Sequence, residues 1–203
     1  MKKIIGICGG SGSGKTTLVE AVREHLSNDF VSIISQDSYY KNHETLTFEE
    51  RCELNYDHPN AIDYDLFVSH LNQLKEGKTI YSPIYSYMEH LRSDQHIEVF
   101  PKPVVLVEGI LIFAHTPLRE QFTTTIFIDA EDETRLRRRT VRDIRKRGRT
   151  AEEVKHRFMD TILPMHNAHI QPHKQTSDYI FDNNKDDLSR LGSFCKLVNK
   201  LIK

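Results

Sequence analysis

Residues 4–17, IIGICGGSGSGKTT, place a short apolar run directly before a glycine-rich loop. Gly9, Gly14, Lys15 and Thr16 match the pattern G-x-x-x-x-G-K-[ST], in which a strand leads through the loop into a helix. Glycines at these places let several backbone N–H groups converge on phosphate oxygens. The alternative is a tight glycine-rich turn without a ligand, but such a turn does not require the lysine.

The pattern predicts that this loop binds the phosphates of a nucleotide. The residues expected to form the binding loop are Gly9, Gly10, Ser11, Gly12, Ser13, Gly14, Lys15, Thr16 and Thr17. We expect Lys15 to reach the β and γ phosphates and the Thr16 hydroxyl to ligate Mg²⁺.

Apolar runs and helical patterns alternate along the rest of the chain. The runs lie at 31–35, 104–109, 125–129 and 178–182, and the helical patterns at 16–26, 63–76, 131–147, 151–170 and 187–202. Asp63 and Gly77 are placed to cap the second helix. This alternation predicts an α/β fold, a P-loop NTPase-type parallel sheet flanked by helices. We expect a single domain over 1–203, with an inserted β-hairpin at about 79–100.

Composition restricts the class of protein. The 203 residues carry 28 Lys and Arg against 29 Asp and Glu, a net charge of -1, which argues against a nucleic-acid partner. No segment approaches the roughly 18 to 20 apolar residues of a membrane span, and MKKIIGIC is too short for a secretory signal. The three scattered cysteines predict reduced thiols, so we expect a cytoplasmic protein without a membrane partner.

Two carboxylates follow predicted strands. Asp37 comes just after the run 31–35, and Glu108 lies at the end of the run 104–109. Parallel strands end at the same edge of a sheet, so both should lie near the γ-phosphate and, with Thr16, near Mg²⁺. Two alternatives stay open: Asp37 caps the next helix or starts a turn, and Glu108 is a solvent-facing residue at the strand end.

Residues 134–149 hold eight arginines and a lysine in a helical pattern. Three- and four-residue steps predict one shared helix face for Arg135, Arg138, Arg142, Arg145 and Arg149. A solvated face or a nucleic-acid-binding stripe would be the general explanation. Beside a phosphate-binding loop we favour a lid, at about 131–149, that brings positive charge to the phosphates and excludes water.

Two further patterns receive structural interpretations. Asn184, Lys185 and Asp187 spell the guanine-reading pattern NKxD, but loops commonly contain these residues and the matching D-x-x-G is missing after VVLVEGIL. A metal cluster is disfavoured because Pro172 interrupts the helix. We therefore predict surface histidines at the three positions His166, His169 and His173.

Six segments together resemble the uridine–cytidine kinase family over nearly the whole chain. They are GGSGSGKTT (9–17), SQDSYY (35–40), NYDHPNAID (55–63), PIYSYMEH (83–90), VLVEGIL (105–111) and RRTVRDIRKRGR (138–149). The resemblance implies transfer of the γ-phosphate of ATP or GTP, with Mg²⁺, to the 5′-hydroxyl of uridine or cytidine. It also implies a homotetramer.

The resemblance also assigns roles to residues of the site. Asp37 corresponds to the general base and Asp57 to the carboxylate that holds the ribose hydroxyls. Tyr85 and His90 correspond to the groups that read the pyrimidine, with Tyr87 packing nearby, although the residues alone suggest ordinary strand packing for the tyrosines. The remaining correspondences are Arg139 and Arg142 near the nucleoside and Arg147 and Arg149 on the phosphates.

The chain departs from the family at two places. Arg157 and Phe158 replace the usual Gln-Tyr, which alters an expected substrate contact, and DNNKDD (182–187) replaces an Arg-Gly-Gly-like loop beside the donor purine. The choice between ATP and GTP stays open, with NKxD pointing to GTP. A kinase for a sugar phosphate or a pantothenate-like alcohol and a nucleotide-dependent switch also stay open. The Tyr, His and Asp content of 40–100 fits a neutral acceptor better.

Overall fold

The computed structural model describes residues 2–26 and 29–203. The strands in this part of the chain are β1 (Lys3–Cys8), β2 (Val31–Ser35), β3 (Ile80–Ser86), β4 (Leu91–Val99), β5 (Val104–Gly109), β6 (Thr124–Asp129) and β7 (Tyr179–Asp182). The α-helices are α1 (Lys15–Leu26), α2 (Phe48–Cys52), α3 (Tyr64–Lys75), α4 (Thr116–Arg119), α5 (Asp132–Arg147), α6 (Ala151–Arg157), α7 (Leu163–His169) and α8 (Ser189–Ile202).

Five strands form a parallel sheet in the order β2-β5-β1-β6-β7. Helices cover both faces, so β5 is buried along its whole length. One face packs against Phe67 and Leu71 of α3, and the other against Leu18 of α1 and Phe194 of α8. The parallel α/β fold predicted from the sequence is therefore confirmed.

The other two strands form the predicted hairpin outside this sheet. β3 and β4 pair antiparallel within 79–100. The turn between them includes His90, whose φ of 53° is uncommon for a residue other than glycine. The rings of Tyr40 and Tyr85 lie 5.0 Å apart, centre to centre, so the hairpin packs against the segment that follows β2.

Both predicted caps of α3 are present. The Asp63 carboxylate accepts a hydrogen bond from the N–H of Leu66 at 3.1 Å, and Gly77 follows the helix with a φ of 84°. No helix in the described residues has the length and apolar character needed to cross a bilayer.

The single helix predicted over 151–170 is interrupted. A π-helical turn at 158–162 separates α6 from α7, and the N–H of Leu163 donates to the carbonyl of Phe158. Pro164 explains the break, because its ring has no N–H and crowds the carbonyl four residues earlier. Turns of this kind frequently occur at functional sites.

Candidate active site

A cavity of about 680 Å³ opens at the carboxyl ends of the parallel strands. Its walls are the loop after β1, the segment after β2, the end of β5, the hairpin tip and α5. The predicted site residues on these walls are Ser11, Gly12, Gly14, Lys15, Thr16, Thr17, Asp37, Asp57, Tyr85, Tyr87, His90, Glu108, Arg139, Arg142, Arg147 and Arg149. Gly9, Gly10 and Ser13 do not line the cavity and lie on the inner side of the loop.

Two glycines shape the phosphate-binding loop. Gly12 and Gly14 have φ values of 83° and 92°, in the region that favours glycine. A Cβ at Gly12 would lie 2.3 Å from the carbonyl oxygen of Arg135, and one at Gly14 would lie 2.5 Å from Asn183 Nδ2. The loop therefore requires glycine at both positions for conformation and for space.

Lys15 is the first residue of α1, and its side chain is held by the loop. Its Nζ donates to the carbonyl oxygens of Gly9 at 2.8 Å and Gly10 at 3.2 Å. Burial lowers the pKa of Lys15, while the nearby Glu108 carboxylate opposes that shift. The ammonium group is thus fixed at the wall where the loop glycines turn their backbone toward the cavity.

The two predicted carboxylates lie on the same wall. Glu108 is 5% exposed and accepts hydrogen bonds from Ser35 Oγ at 2.9 Å and Thr16 Oγ1 at 3.3 Å. Burial raises the pKa of Glu108, and the charge of Asp37 adds to this, while Lys15 opposes it. Ser35 caps the 3₁₀ turn by accepting the N–H of Asp37 at 3.3 Å, which leaves the Asp37 carboxylate on the cavity wall.

These oxygen atoms suit a hard divalent cation. Mg²⁺ prefers one or two carboxylates together with phosphate oxygens and water. Thr16, Asp37 and Glu108 supply a hydroxyl and two carboxylates, and a cation would relieve the cost of burying Glu108 in its charged form. In residues 2–26 and 29–203, no group of three or more His, Cys, Asp or Glu side chains is placed to hold a metal.

An aromatic wall faces the phosphate-binding loop. It consists of Tyr40, Tyr56, Tyr85, Tyr87 and His90, and the His90 ring stacks on Tyr56 with centres 4.8 Å apart. His90 Nδ1 is buried without a hydrogen-bond partner among the described residues, and the Tyr85 hydroxyl lies near that of Tyr56 without a well-aligned hydrogen bond. Burial lowers the pKa of His90 and neighbouring arginines lower it further, which favours the neutral ring. This wall fits a flat ring with polar edges.

Asp57 lines the same cavity as the aromatic wall and α5. Burial raises the pKa of Asp57, while the charges of Arg139 and Arg157 oppose the shift. Arg139 also donates to Ser11 Oγ at 2.6 Å, which ties α5 to the phosphate-binding loop. A carboxylate in this position can accept hydrogen bonds from two adjacent hydroxyls of a ligand.

Comparison with known proteins agrees with this geometry. Residues 4–189 match the Phosphoribulokinase / Uridine kinase family. The chain belongs to this family. Uridine kinases of Clostridium novyi (strain NT) and Macrococcus caseolyticus (strain JCSC5402) are each 45% identical to it over 177 residues, which cover 87% of this chain and 85% and 86% of theirs. The family predicted from the sequence, and with it the assignment as a kinase, is therefore confirmed.

Solved structures of more distant kinases share the fold. D-glycerate 3-kinase from Cryptococcus neoformans superposes with a TM-score of 0.66 at 18% identity, covering 90% of this chain and 86% of that one. Shikimate kinase from Bacteroides thetaiotaomicron gives 0.54 at 19% identity, with 98% of each chain covered. These likenesses concern the architecture alone.

The arginine-rich helix of this kinase does not have the predicted single face. Arg149 lies beyond the end of α5 at Arg147, Arg135 is fully buried, and Arg145 is exposed and does not line the cavity, so these three do not form one cavity-facing row with Arg138 and Arg142 as predicted. The reason is that the first turns of α5 pack beneath the phosphate-binding loop, whereas the later turns extend along the cavity.

Asp143 gathers four arginines at the end of α5. Its fully buried carboxylate lies 2.8 Å from Arg142 Nε, 3.3 Å from Arg139 Nε, 3.5 Å from Arg147 Nη1 and 3.8 Å from Arg149 Nη1. Burial alone would raise the pKa of Asp143, but these guanidinium groups hold it below its usual value. Sequence reasoning missed this residue, although it lies within the quoted segment 138–149.

Side chains of the loop that contains NKxD form hydrogen bonds with neighbouring segments of the protein. Asn183 Nδ2 donates to the carbonyl of Ser13 at 2.6 Å, and Asn184 Oδ1 accepts a backbone N–H before α5 at 2.7 Å. Asp187 Oδ1 accepts a backbone N–H of α8 at 3.2 Å. These contacts support the interpretation as loop chemistry.

Several residues that sequence reasoning left unassigned also line the cavity. Asp186 pairs with Arg138 Nη2 at 2.7 Å and with Arg190 Nη1 at 3.4 Å near the end of the phosphate-binding loop. Tyr40 and Tyr56 stand in the aromatic wall. Of these residues, only the two tyrosines could have been predicted as site residues, because both lie within the segments that resemble the family.

His166 was predicted at the surface, and this is wrong. The side chain is buried, and its Nε2 lies 3.0 Å from Gln171 Oε1. Burial, together with the charge of Arg135, lowers the pKa of His166 to about 4. The ring packs against the inner side of the loop at Gly10, where it supports the loop as a neutral group.

Proposed function

We propose that this kinase transfers the γ-phosphate of ATP or GTP to the 5′-hydroxyl of uridine or cytidine. The observation that carries the proposal is that one cavity joins the phosphate-binding loop to an aromatic wall, in which His90 Nδ1 has no partner among the described residues and the Tyr85 hydroxyl has only a poorly aligned one. Relatives named uridine kinase, at 45% identity, support the same acceptor class.

Asp37 is the proposed general base. Its carboxylate lies on the wall next to Lys15 and Glu108, so it can take the proton from a hydroxyl that attacks the γ-phosphate in line. Lys15, Arg147 and Arg149 supply positive charge for the equatorial phosphate oxygens. The arginines come from the lid, which also excludes water.

The acceptor is held by groups from three elements. Asp57 accepts hydrogen bonds from the ribose hydroxyls, while Tyr85 and His90 bond the edge of the pyrimidine. Tyr87 packs at the hairpin tip, and the guanidinium carbon of Arg147 lies 4.3 Å from the centre of its ring. The resemblance further assigns Arg139 and Arg142 to the reacting end of the nucleoside, where both line the cavity.

Thr16, Asp37 and Glu108 would hold Mg²⁺ in this proposal. When bound, Mg²⁺ neutralises charge on the donor phosphates and aligns them. Both ATP and GTP remain candidate donors.

We also propose a cytoplasmic homotetramer without nucleic-acid or membrane partners. The three free cysteines, Cys8, Cys52 and Cys195, suit a reducing compartment. The tetramer rests on the family resemblance, and light scattering on the purified protein measures it.

Asp37→Asn tests the proposed chemistry. We expect the variant to bind ATP as the wild type does and to lose about 10²- to 10⁴-fold in kcat, because general-base catalysis contributes that much. Asp65→Asn is the matched control, since Asp65 is exposed on α3 and does not line the cavity. An Asp37→Asn enzyme with wild-type turnover of uridine and cytidine would overturn the assignment of the base.

A further inference from the structure

Arg157 is a cation on the cavity wall that forms no ion pair with any of the described residues. It is the last residue of α6 and is partly buried. The lid arginines share Asp143, and Arg138 and Arg190 share Asp186. By contrast, no hydrogen bond or ion pair within the described chain engages the Arg157 guanidinium.

The charge of Arg157 shifts the pKa of groups proposed to bind the base and the ribose. It helps to lower the pKa of His90, second to burial, and it opposes the effect of burial on the pKa of Asp57. All three side chains line the same cavity. Arg157 therefore lines the cavity within electrostatic reach of both the carboxylate proposed for the ribose and the imidazole of the aromatic wall.

The end of α6 fixes the place of this side chain. Phe158, the next residue, is 1% exposed, and its ring centre lies 5.3 Å from the guanidinium carbon of the buried Arg135. The π-helical turn follows at 158–162. With its neighbour anchored in the core, the Cα of Arg157 is held at the cavity wall.

Of Arg157, His90 and Tyr85, only Arg157 donates hydrogen bonds without also accepting them. A neutral His90 donates at one nitrogen and accepts at the other, and the Tyr85 hydroxyl does both. A guanidinium only donates, through a planar fork that matches two adjacent acceptors. Cytosine presents such a pair in O2, which lies next to the ribose, and N3, the next atom along the Watson–Crick edge. Uracil presents O2 beside an N3–H donor.

We propose, building on the function proposed above, that Arg157 donates to O2 and N3 of the pyrimidine and makes cytidine the preferred acceptor. With uridine the guanidinium faces an N3–H group, so one hydrogen bond is lost and two donors oppose each other. A well-formed bidentate contact of this kind discriminates by about tenfold or more.

The test compares kcat/KM for cytidine, uridine and 3-deazacytidine in the wild type. We expect cytidine to exceed uridine by about tenfold or more. 3-Deazacytidine, in which a C–H replaces N3, should lose that advantage. This comparison needs no variant, so folding does not affect it. A wild type that prefers uridine, or that uses 3-deazacytidine as well as cytidine, overturns the proposal.

Variants then assign the preference to the side chain. Arg157→Gln, which can both donate and accept, should bring the cytidine-to-uridine ratio close to one, and Arg157→Lys should also lower it while keeping the charge. Lys155→Gln, an exposed change on the same helix, should leave the ratio as it is. If Arg157→Gln leaves the cytidine-to-uridine ratio unchanged, the role proposed for Arg157 is contradicted, but the proposed kinase function is not. Failure of the wild type to phosphorylate either nucleoside contradicts the proposed function as well.

Discussion

Asp143→Asn tests whether one buried carboxylate organises the lid. The substitution keeps the size of the side chain and removes the charge that lies 2.8 to 3.8 Å from four guanidinium groups. Breaking a buried ion pair from one side typically costs roughly 3–5 kcal/mol. The Arg142 and Arg149 side chains are 36% and 25% exposed, so water screens part of the repulsion. We therefore expect a loss of about 3 kcal/mol in the free energy of unfolding.

Two measurements check this magnitude. For a chain of this length the loss corresponds to a fall in Tm of about 6–12 °C in a calorimetric scan. Because the lid arginines are displaced and not removed, kcat/KM should fall by roughly 10²-fold, less than the about 10³–10⁵-fold effect of deleting a catalytic arginine.

The effect of this substitution should depend on pH. The pKa of Asp143 is lowered in the folded protein, so its contribution is complete above the unfolded value of about 3.9. The contribution is lost as pH falls through the folded value, and the difference between variant and wild type should shrink accordingly. Glu133→Gln, an exposed change in the first turn of the same helix, should cost less than about 1 kcal/mol. An Asp143→Asn protein with the Tm and kcat/KM of the wild type at pH 7 would refute the reasoning.

Three further substitutions address the rest of the site. Gly14→Ala should abolish ATP binding in calorimetric titration, because the residue has a φ of 92° and a Cβ would lie 2.5 Å from Asn183 Nδ2; binding within about threefold of wild type would contradict the assigned loop conformation. Glu108→Gln should raise the Mg²⁺ concentration needed for half-maximal rate by roughly tenfold or more, and an unchanged Mg²⁺ dependence would remove Glu108 from the proposed metal site. Asp57→Asn should raise KM for the nucleoside by roughly tenfold or more, with a smaller change in kcat, since a charged hydrogen bond to the ribose is weakened in ground and transition states alike. A larger fall in kcat than rise in KM would argue against a role in ribose binding.

The sequence was most informative where a short motif determines both conformation and chemistry. The loop 9–17 is such a case, because its glycines, lysine and threonine carry the whole pattern locally. The place of Asp37 and Glu108 followed from a rule of topology, since parallel strands end at one edge of the sheet. Periodicity also placed the strands correctly, and the residue types of Asp63 and Gly77 located the caps of α3.

Predictions failed where tertiary packing decided the outcome. A three- to four-residue spacing puts arginines on one helix face, but it cannot show that α5 enters the protein at Arg135. The burial of His166 likewise depends on how α7 meets the phosphate-binding loop. In the sequence, Asp143 is one acidic residue within a highly charged segment. The four guanidinium groups surround it only in the folded protein.

The most direct measurement is nucleoside diphosphate release from ATP and GTP in the presence of Mg²⁺. The acceptors to compare are uridine, cytidine, ribulose 5-phosphate, pantothenate and none. We expect release that depends on uridine or cytidine, with the corresponding nucleoside monophosphate formed in equal amount. Release that depends on another acceptor, release without any acceptor, or no release at all would contradict the account of this cavity as a pyrimidine nucleoside kinase site.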